Sequence, residues 1–214
     1  MKARQQTSFL FDLDGTLVDS VYDHVLAWHD ALQEEGIEIS VWRLRRKIGM
    51  SGGLFTKALA RETGMEFGPE ILERLRQLHI KYYSARSPHT RALPGARELL
   101  EYLSDNGIPW AIATSGRIET AGPVLKILGV DPARHTVITR DLVRYAKPDP
   151  DLFLAAAEKL DVDIGTACVV GDAIWDMLAA RRARALGIER AGAYRVYEDP
   201  ADLLIHIDEV GGRR

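Results

Sequence analysis

Residues 9–20 of the chain read FLFDLDGTLVDS. The stretch begins as a short apolar run, which favours a buried strand, and then places Asp12 and Asp14 with one leucine between them. Burying unpaired carboxylates is costly, and two like charges close together make ionisation harder still. We therefore expect a site at the end of this strand that uses both carboxylates and supplies a cation to offset their charge.

Composition narrows the classes of protein to consider. The 214 residues are 46% hydrophobic and 28% charged, which is ordinary for a globular protein with room for one large domain or a core with an inserted domain. A net charge of −3 gives no overall attraction to nucleic acid or to an anionic membrane. No window approaches the ~20 apolar residues of a membrane span. We expect neither nucleic acid nor membrane as a partner.

The single cysteine, Cys168, excludes an internal disulfide and fits a reducing compartment. It lies in an apolar strand pattern, which favours a buried small side chain over a nucleophile. The start of the chain has no apolar segment of the signal-peptide type. The expectation is a cytoplasmic protein, with a monomer as the default state.

Alternating strand and helix patterns predict the fold class. Short apolar runs, each ending at a polar residue, lie at 8–14, 109–115, 135–141 and 166–172. Helical patterns occupy 96–107, 117–129, 150–161 and 173–187, and several end at glycine. This order is typical of an α/β fold with a Rossmann-like parallel sheet as its core, covered by helices on both faces.

The interval 20–90 breaks the alternation, because it contains helical patterns and no convincing strand. Two apolar stripes predict amphipathic helices there: Val21, Val25, Trp28 and Leu32, and then Ile71, Leu72, Leu75, Leu78 and Tyr82. We predict an inserted all-helical cap domain at 18–90 and a core domain at 1–17 and 91–214. Ligands of open α/β sheets bind at the carboxyl ends of the strands, so the cap would cover the site.

Polar residues close the four predicted strands. They are Asp12 and Asp14; Thr114, Ser115 and Gly116; Lys147; and Asp172 with Asp176. Oxygen ligands of this kind suit Mg²⁺, which binds one or two carboxylates together with phosphate oxygens and water. The set therefore predicts a magnesium site beside a place for a phosphate.

DLDGT at 12–16 resembles the DxDGT signature of the haloacid-dehalogenase-like hydrolases, a large family of mostly Mg²⁺-dependent phosphatases. The resemblance extends in order to Thr114 in AIATSG, to Lys147 in AKPDP, and to Asp172 and Asp176 in VVGDAIWDM. It spans most of the chain. It implies a phosphatase that acts on a small phosphorylated metabolite through an aspartyl-phosphate intermediate.

The resemblance also implies roles for the four aspartates. Asp12 would be the nucleophile, and Asp14 would protonate the leaving oxygen and then activate the water that hydrolyses the intermediate. Asp12, the backbone carbonyl of Asp14, and Asp172 would bind Mg²⁺, with Asp176 in support. Dehalogenases of the family lack the second aspartate, so Asp14 favours phosphoryl chemistry.

Three further positions would bind the phosphate by the same resemblance. Thr114 would hydrogen-bond a phosphoryl oxygen, backbone N–H groups of Ser115 and Gly116 would add donors, and Lys147 would neutralise charge between Asp12 and the phosphoryl group. His24, four residues before Trp28, matches a histidine of some sugar-phosphate mutases. It is a candidate for substrate binding and equally for packing within the cap.

Plainer interpretations of these residues stay open at this point. Asp14 could be a turn residue before Gly15, and Thr114 with Ser115 could cap the next helix. Lys147 could be a surface lysine, and Asp176 an acid in the first turn of its helix. Asp19 or Ser20 is expected to begin the first cap helix.

The position of the cap resembles the subgroup that contains phosphoglycolate phosphatases and beta-phosphoglucomutases. The mutases hold a second phosphate with an arginine in a cap loop, and here the matching loop, IGMSGG at 48–53, has no basic residue. Lys47 and Lys57 flank it, so a phosphomutase remains an alternative. A non-catalytic protein that binds or senses a phosphometabolite is a second. The loop could touch substrate or be a simple turn.

The chain departs from the family pattern after Gly187. A further strand is expected there, yet the sequence continues almost at once into AYRVY at 193–197, which resembles the last strand of the family. About 15 residues are absent by comparison with the usual spacing of strands and helices. Either an edge strand is missing or the sequence omits a segment.

Overall fold

A computed structural model describes residues 7–185 and 196–211. Four parallel strands form one sheet in the order β3-β2-β1-β4. They are β1 (Ser8–Phe11), β2 (Trp110–Ala113), β3 (Val137–Ile138) and β4 (Ala167–Val170). Each lies inside one of the four predicted apolar runs, which confirms the parallel, Rossmann-like sheet.

Side-chain alternation along β1 divides the core into two layers. Phe9 and Phe11 point to one face and Leu10 to the other, and all three are fully buried. The first face is covered by α5 (Ala96–Asp105), α6 (Ile118–Ile127), α9 (Pro200–Ile205) and α10 (Ile207–Gly211). The second is covered by α7 (Asp151–Leu160) and α8 (Ile174–Ala183). Burial on both faces explains why the strands are continuously apolar.

Four α-helices lie in the interval 20–90, and no strand occurs among them, as predicted. They are α1 (Val21–Glu34), α2 (Val41–Arg45), α3 (Gly52–Thr63) and α4 (Pro69–Arg86). We call them the helical insertion. A third apolar cluster, which includes Val25, Leu44, Leu59 and Leu75, lies within the insertion. Short 3-10 helices at Ser87–His89, Arg140–Leu142 and Ile164–Thr166 complete the described elements.

The predicted stripe of α1 is confirmed, whereas that of α4 is displaced. Val21, Val25 and Leu32 are buried and Trp28 packs against them. On α4 the buried face consists of Leu75, Leu78, His79 and Tyr83, while Ile71 is exposed and Leu72 and Tyr82 are only partly buried. The physical reason is that His79 and Tyr83 face α1, so the stripe includes two polar-tipped side chains that the apolar pattern omits.

The two connections of the helical insertion run side by side. The Asp19 N–H donates to the Arg91 carbonyl at 2.9 Å, and the Leu93 N–H donates to the Leu17 carbonyl at 2.9 Å. The insertion therefore leaves and rejoins the chain at one place. The division into domains at 17/18 and 90/91 agrees with this geometry and stays a prediction.

The expected last strand at 193–197 falls mainly outside the described residues. Only Val196 and Tyr197 of that stretch are described, and neither belongs to a strand. The predicted absence of a segment after Gly187 concerns the same undescribed part of the chain. Within residues 7–185 and 196–211, no helix has the length and apolar character needed to cross a bilayer.

Burial on α4 predicts how two substitutions differ. Leu75→Ala should lower the free energy of unfolding by about 3 kcal/mol, because Leu75 is buried in the cluster of the insertion and its truncation leaves a cavity. Ile71→Ala on the same helix, where the side chain is 37% exposed, should cost less than about 1 kcal/mol. Urea denaturation of both variants measures the difference, and equal losses would contradict the assigned buried face.

Candidate active site

The carboxyl ends of the central strands bring the predicted polar residues to one edge of the sheet. Asp12 follows β1, Thr114 follows β2 and Asp172 lies two residues beyond β4. The Asp12 N–H continues the ladder by donating to the Val170 carbonyl at 2.9 Å. Strand order reverses between β1 and β4, and such a switch point is where open α/β sheets form their binding crevice.

Lys147 lies at the centre of the site rather than on the surface. Its side chain is fully buried, its ammonium donates to Asp12, and Nζ is 2.7 Å from Asp176 Oδ1. Burial lowers the pKa of Lys147, but the carboxylates of Asp12 and Asp176 outweigh that effect and raise it. The lysine is therefore a permanent cation between two buried carboxylates.

An acidic cluster surrounds this lysine. One carboxylate oxygen from each of Asp12, Asp172 and Asp176 lies within 4.8 Å of the others. Three carboxylates against one ammonium leave excess negative charge, and an all-oxygen donor set fits a hard divalent cation. The residues present thus fit the metal that the sequence predicts. Asp176, which is predicted only to support the metal ligands, lies as close to Asp12 and Asp172 as a ligand would.

Asp14 does not contribute its carboxylate to that cluster. Its predicted contact with a metal is through the backbone carbonyl, and this contact stays a prediction. Asp176 has a second function, because its Oδ2 accepts from the Ala173 N–H at 3.1 Å at the start of α8. Its interpretation as a first-turn acid is thus correct but incomplete, since the other oxygen contacts Lys147.

Burial and like charges shift the carboxylates of the cluster. Burial raises the pKa of Asp12 well above its usual value, Lys147 opposes this, and the neighbouring carboxylates of Asp176, Asp172 and Asp14 add to it. Burial and the charge of Asp176 raise the pKa of Asp172 to about 6. A cation bound among them would reverse these shifts, which is the electrostatic reason for a metal here.

Two glycines allow the acidic loops to approach closely. Gly15 has φ +85°, and a Cβ at this position would lie 2.5 Å from Asp172 Oδ2. A Cβ on Gly171 would lie 2.4 Å from Asp176 Cγ. Any side chain at either position would displace an aspartate of the cluster.

The Asp14 carboxylate has a separate set of partners. Its Oδ1 accepts from Ser20 Oγ at 2.5 Å and lies 3.3 Å from His24 Nε2. Burial raises the pKa of Asp14, but the charge of His24 and the hydrogen bonds from His24 and Ser20 outweigh it and lower the pKa. Asp14 is therefore more than a turn residue before Gly15. Ser20 occupies the N-cap position of α1, yet its side chain bonds to Asp14 and not to the helix.

His24 lies on α1 against two residues of α4. Its Nδ1 is 3.1 Å from His79 Nε2, and its ring stacks on that of Tyr83 with centroids 4.0 Å apart. Trp28 stacks on His79 at 4.3 Å. Both ring nitrogens of His24 therefore have partners within the protein: Nε2 lies beside the Asp14 carboxylate, and Nδ1 lies beside His79 of the helical insertion. Its predicted contact with substrate stays a prediction.

The segment after β2 differs from a helix cap. Arg117 occupies the N-cap position of α6, and Asp141 accepts from the Ile118 N–H at 2.9 Å. Thr114 Oγ1 accepts from the Gly116 N–H at 2.9 Å, so that donor is already engaged. Ser115 Oγ is buried and has no hydrogen-bond partner among the described residues. A phosphoryl oxygen would suit this unpaired hydroxyl, so the predicted phosphate role of the segment is chemically consistent.

The loop at 48–53 rests on the core instead of projecting as a free turn. The Ser51 N–H donates to the Lys147 carbonyl at 2.7 Å, and Gly49 lies against Ala173 and Trp175. On the preceding helix, the charge of Arg45 is close enough to lower the pKa of Asp172. A loop of the helical insertion thus contacts the segments that carry Lys147 and the start of α8.

Sequence reasoning missed Ser20, His79 and Arg45 at this site. The sequence predicts Ser20 only as a start of the first cap helix, and no motif marks Arg45. His79 could have been found from its helical spacing, because it precedes the buried Tyr83 by four positions and follows Leu75 by four. Ser20 is only six positions from Asp14, but its residue type suits a helix cap equally well. No local pattern connects His79 to Asp14 or Arg45 to Asp172, because more than 60 positions separate the residues of each pair.

The fold and this site define a class of hydrolase, and comparison with known proteins agrees. A family model described as haloacid dehalogenase-like hydrolase matches residues 7–184. The chain therefore belongs to the haloacid dehalogenase-like hydrolase family.

Individual relatives fall within the same family. Hexitol phosphatase A of Escherichia coli (strain K12) is 35% identical over 168 residues, which cover 77% of this chain and 74% of the relative. A phosphoglycolate phosphatase of Agrobacterium fabrum is 31% identical over 81% of this chain and 76% of its own length. The crystal structure of a hydrolase from Pseudomonas syringae is 55% identical, covers 96% of this chain and 100% of that one, and superposes with a TM-score of 0.91.

The central position of Lys147 predicts a large loss of stability when its charge is removed. Lys147→Met should lower the free energy of unfolding by about 3 kcal/mol or more, because Asp12 and Asp176 then face each other in the interior without a counter-charge. Lys159→Met, at an exposed position of α7, should change it by less than about 0.5 kcal/mol. Urea denaturation at neutral pH without divalent metal measures both, and a loss below about 1 kcal/mol for Lys147→Met would contradict the pairing.

Proposed function

We propose that the protein is a Mg²⁺-dependent phosphatase that hydrolyses a small phosphorylated metabolite through an aspartyl-phosphate intermediate. The single observation that carries this proposal is the separation of Asp12 and Asp14. Asp12 lies against Lys147 in the acidic cluster, and Asp14, two residues on, lies against Ser20 and His24. Two carboxylates in different surroundings can perform two different tasks.

In the first step, a carboxylate oxygen of Asp12 forms a bond to phosphorus while the bond from phosphorus to the leaving oxygen breaks. Asp14 gives its proton to that leaving oxygen, so an alcohol departs. In the second step, a water attacks the phosphorus of the aspartyl phosphate. Asp14 takes a proton from this water, and inorganic phosphate leaves with Asp12 restored as a carboxylate.

The surroundings of Asp14 support its use both as a general acid and as a general base. In the free enzyme the pKa of Asp14 is lowered by His24 and Ser20 against the effect of burial, which suits a base. A phosphate dianion bound nearby adds negative charge and raises that pKa, which suits an acid. Substrate arrival therefore favours the protonated form that the first step needs.

Lys147 has the charge and position to oppose repulsion between Asp12 and an incoming phosphate. It is held between Asp12 and Asp176, so little reorganisation accompanies phosphate binding. Thr114 and the unpaired hydroxyl of Ser115 follow the neighbouring strand and are suited to bind phosphoryl oxygens. The Gly116 N–H would have to leave Thr114 to become a donor for phosphate.

Asp12, Asp172 and the backbone carbonyl of Asp14 would hold Mg²⁺, with Asp176 positioned beside them. When bound, the metal supplies positive charge that neutralises the carboxylates and the phosphoryl oxygens during transfer. With the metal bound, its charge and that of Lys147 would keep Asp12 ionised for attack, in spite of its burial.

The substrate proposal rests on the named activities of relatives. Hexitol phosphatase A and phosphoglycolate phosphatase both carry names that specify small phosphorylated compounds. The phosphomutase alternative gains no support from Lys47, which is buried and paired with Glu62 at 2.6 Å. A protein that only binds the phosphometabolite remains the alternative that a turnover assay separates.

Substitution of Asp12 tests the mechanism. With Mg²⁺, the wild-type protein should release phosphate from small phosphate esters, and Asp12→Asn should reduce release to background because the amide cannot form the acyl phosphate. Asp14→Asn should lower the rate by about 10²-fold to 10⁴-fold, the usual contribution of a general acid and base. Phosphate release across a panel of phosphorylated metabolites measures all three proteins.

Asp19→Asn is the matched control for this assay. Asp19 lies in the same segment but is exposed and outside the acidic cluster, so its substitution should leave turnover within about twofold, as expected for a surface change. Metal-dependent release that survives in Asp12→Asn would refute the proposed mechanism. Ligand binding without turnover by the wild type would favour the non-catalytic alternative, and isomerised sugar phosphate with little free phosphate would favour the mutase.

The pKa of Asp172, raised to about 6, predicts how metal binding depends on pH. Metal requires the ionised carboxylate, so protons compete below the pKa and do not compete above it. The protonation of Asp172 alone should make affinity for Mg²⁺ roughly tenfold weaker at pH 5 than at pH 7, and the raised pKa of Asp12 should add to this loss. Calorimetric titration with MgCl₂ measures this, and an affinity that is unchanged at pH 5 would contradict the assignment.

A further inference from the structure

A chain of polar contacts leads from Asp14 into the helical insertion. His24 Nε2 lies 3.3 Å from Asp14 Oδ1, and His24 Nδ1 lies 3.1 Å from His79 Nε2. The chain connects the segment after β1 with α1 and then with α4. His79 does not touch Asp14 directly, so any effect on that carboxylate passes through His24.

We propose that His79 is a positioning residue, which acts through His24 to keep an N–H directed at the Asp14 carboxylate during proton transfer. The proposal rests on the proposed function, in which Asp14 exchanges a proton with the leaving oxygen. In this proposal, a residue of the helical insertion influences the proton transfer by Asp14.

The proton count supports this role. If both histidines are neutral, the ionised Asp14 carboxylate favours the arrangement in which His24 carries its proton on Nε2, and His79 Nε2–H then donates to His24 Nδ1. If His24 is cationic, it carries protons on both nitrogens and donates to His79 Nε2. In both arrangements Nε2–H of His24 faces Asp14, because the partner of one ring nitrogen fixes the state of the other.

Burial restricts His79 to the neutral form. Only 8% of the residue is exposed, and burial, together with the charge of His24, lowers the pKa of His79 well below its usual value. A neutral His79 can donate to His24 or accept from it but does not compete as a cation for Asp14. Removal of His79 allows the proton of His24 to move to Nδ1, which would turn a lone pair of Nε2 toward the carboxylate.

Packing holds the two rings in this relation. The ring of His24 stacks on Tyr83, and that of His79 stacks on Trp28 at 4.3 Å and on His24 at 5.2 Å. Phe55 packs on the other side of the cluster, 4.5 Å from Trp28 between ring centroids. The stack explains why neither imidazole is free to rotate away from its partner.

The test compares two phosphate esters that depend differently on proton donation. An alkyl phosphate needs a proton on its leaving oxygen, whereas the nitrophenolate of p-nitrophenyl phosphate leaves readily without one. His79→Phe should lower kcat/KM for the alkyl ester by roughly 10-fold to 100-fold, the range for loss of an orienting partner. For p-nitrophenyl phosphate the loss should be less than about threefold. His79→Gln, which retains a hydrogen-bonding group, should recover most of the alkyl-ester rate.

Phe55→Leu is the control for packing, since it alters the same aromatic stack without touching the polar chain. It should change both substrates by a similar factor. Equal losses on both esters in His79→Phe, or no recovery in His79→Gln, would overturn the proposal. Thermal unfolding of each variant verifies that the compared proteins are folded.

Side-chain ¹⁵N NMR of the histidines gives a readout that does not depend on activity. In the wild type, His24 Nε2 should be protonated, and in His79→Phe its signal should shift toward that of an unprotonated nitrogen. An unchanged His24 spectrum would overturn the proposed positioning. If the wild-type protein hydrolyses neither ester with Mg²⁺, the proposed function fails, and the NMR result alone then decides whether His79 orients His24.

Discussion

The ion pairs of the buried Lys147 are the interaction on which the rest of the site depends. A lysine with no exposed surface is tolerable only because Asp12 and Asp176 reach it from two different parts of the chain. Asp12 directly follows β1, Asp176 lies in the first turn of α8 after β4, and the lysine follows β3, so one ammonium joins three parts of the sheet edge. The same carboxylates form the acidic cluster with Asp172. The strand order therefore brings together the charges that neutralise each other in the interior.

The two aspartates of the opening motif show how the fold separates like charges. Leu13 and Gly15 lie on either side of Asp14, and the turn there directs its carboxylate toward Ser20 and His24 while Asp12 faces Lys147. Each carboxylate thus has its own donors, and each is shifted in a different direction: the pKa of Asp12 rises and that of Asp14 falls. Chemistry that needs one attacking group and one proton carrier is compatible with this division.

Much of this arrangement could be predicted from the sequence, because the strands are short, apolar and closed by polar residues. The four parallel strands, the helices between them and the meeting of Asp12, Lys147 and Asp172 follow from that pattern together with the family resemblance. The contacts that the sequence did not predict depend on the tertiary structure. His79 is 55 positions from His24, and its burial depends on how α4 rotates against α1, which an apolar stripe does not determine. Ser20 has the residue type of a helix cap, and only the tertiary structure shows that its hydroxyl bonds elsewhere.

The adjacent connections at 17–19 and 91–93 have a consequence for how such a chain can change. The two connections of the helical insertion are joined to each other by backbone hydrogen bonds. With respect to the sheet, the insertion is therefore a loop whose two ends lie at one place. The entropy of closing a loop grows only with the logarithm of its length. Residues can therefore be gained, lost or replaced inside the insertion with little effect on the register of β1 and β2. The helical insertion and the core segments that carry the acidic cluster can therefore change in length and sequence at different rates.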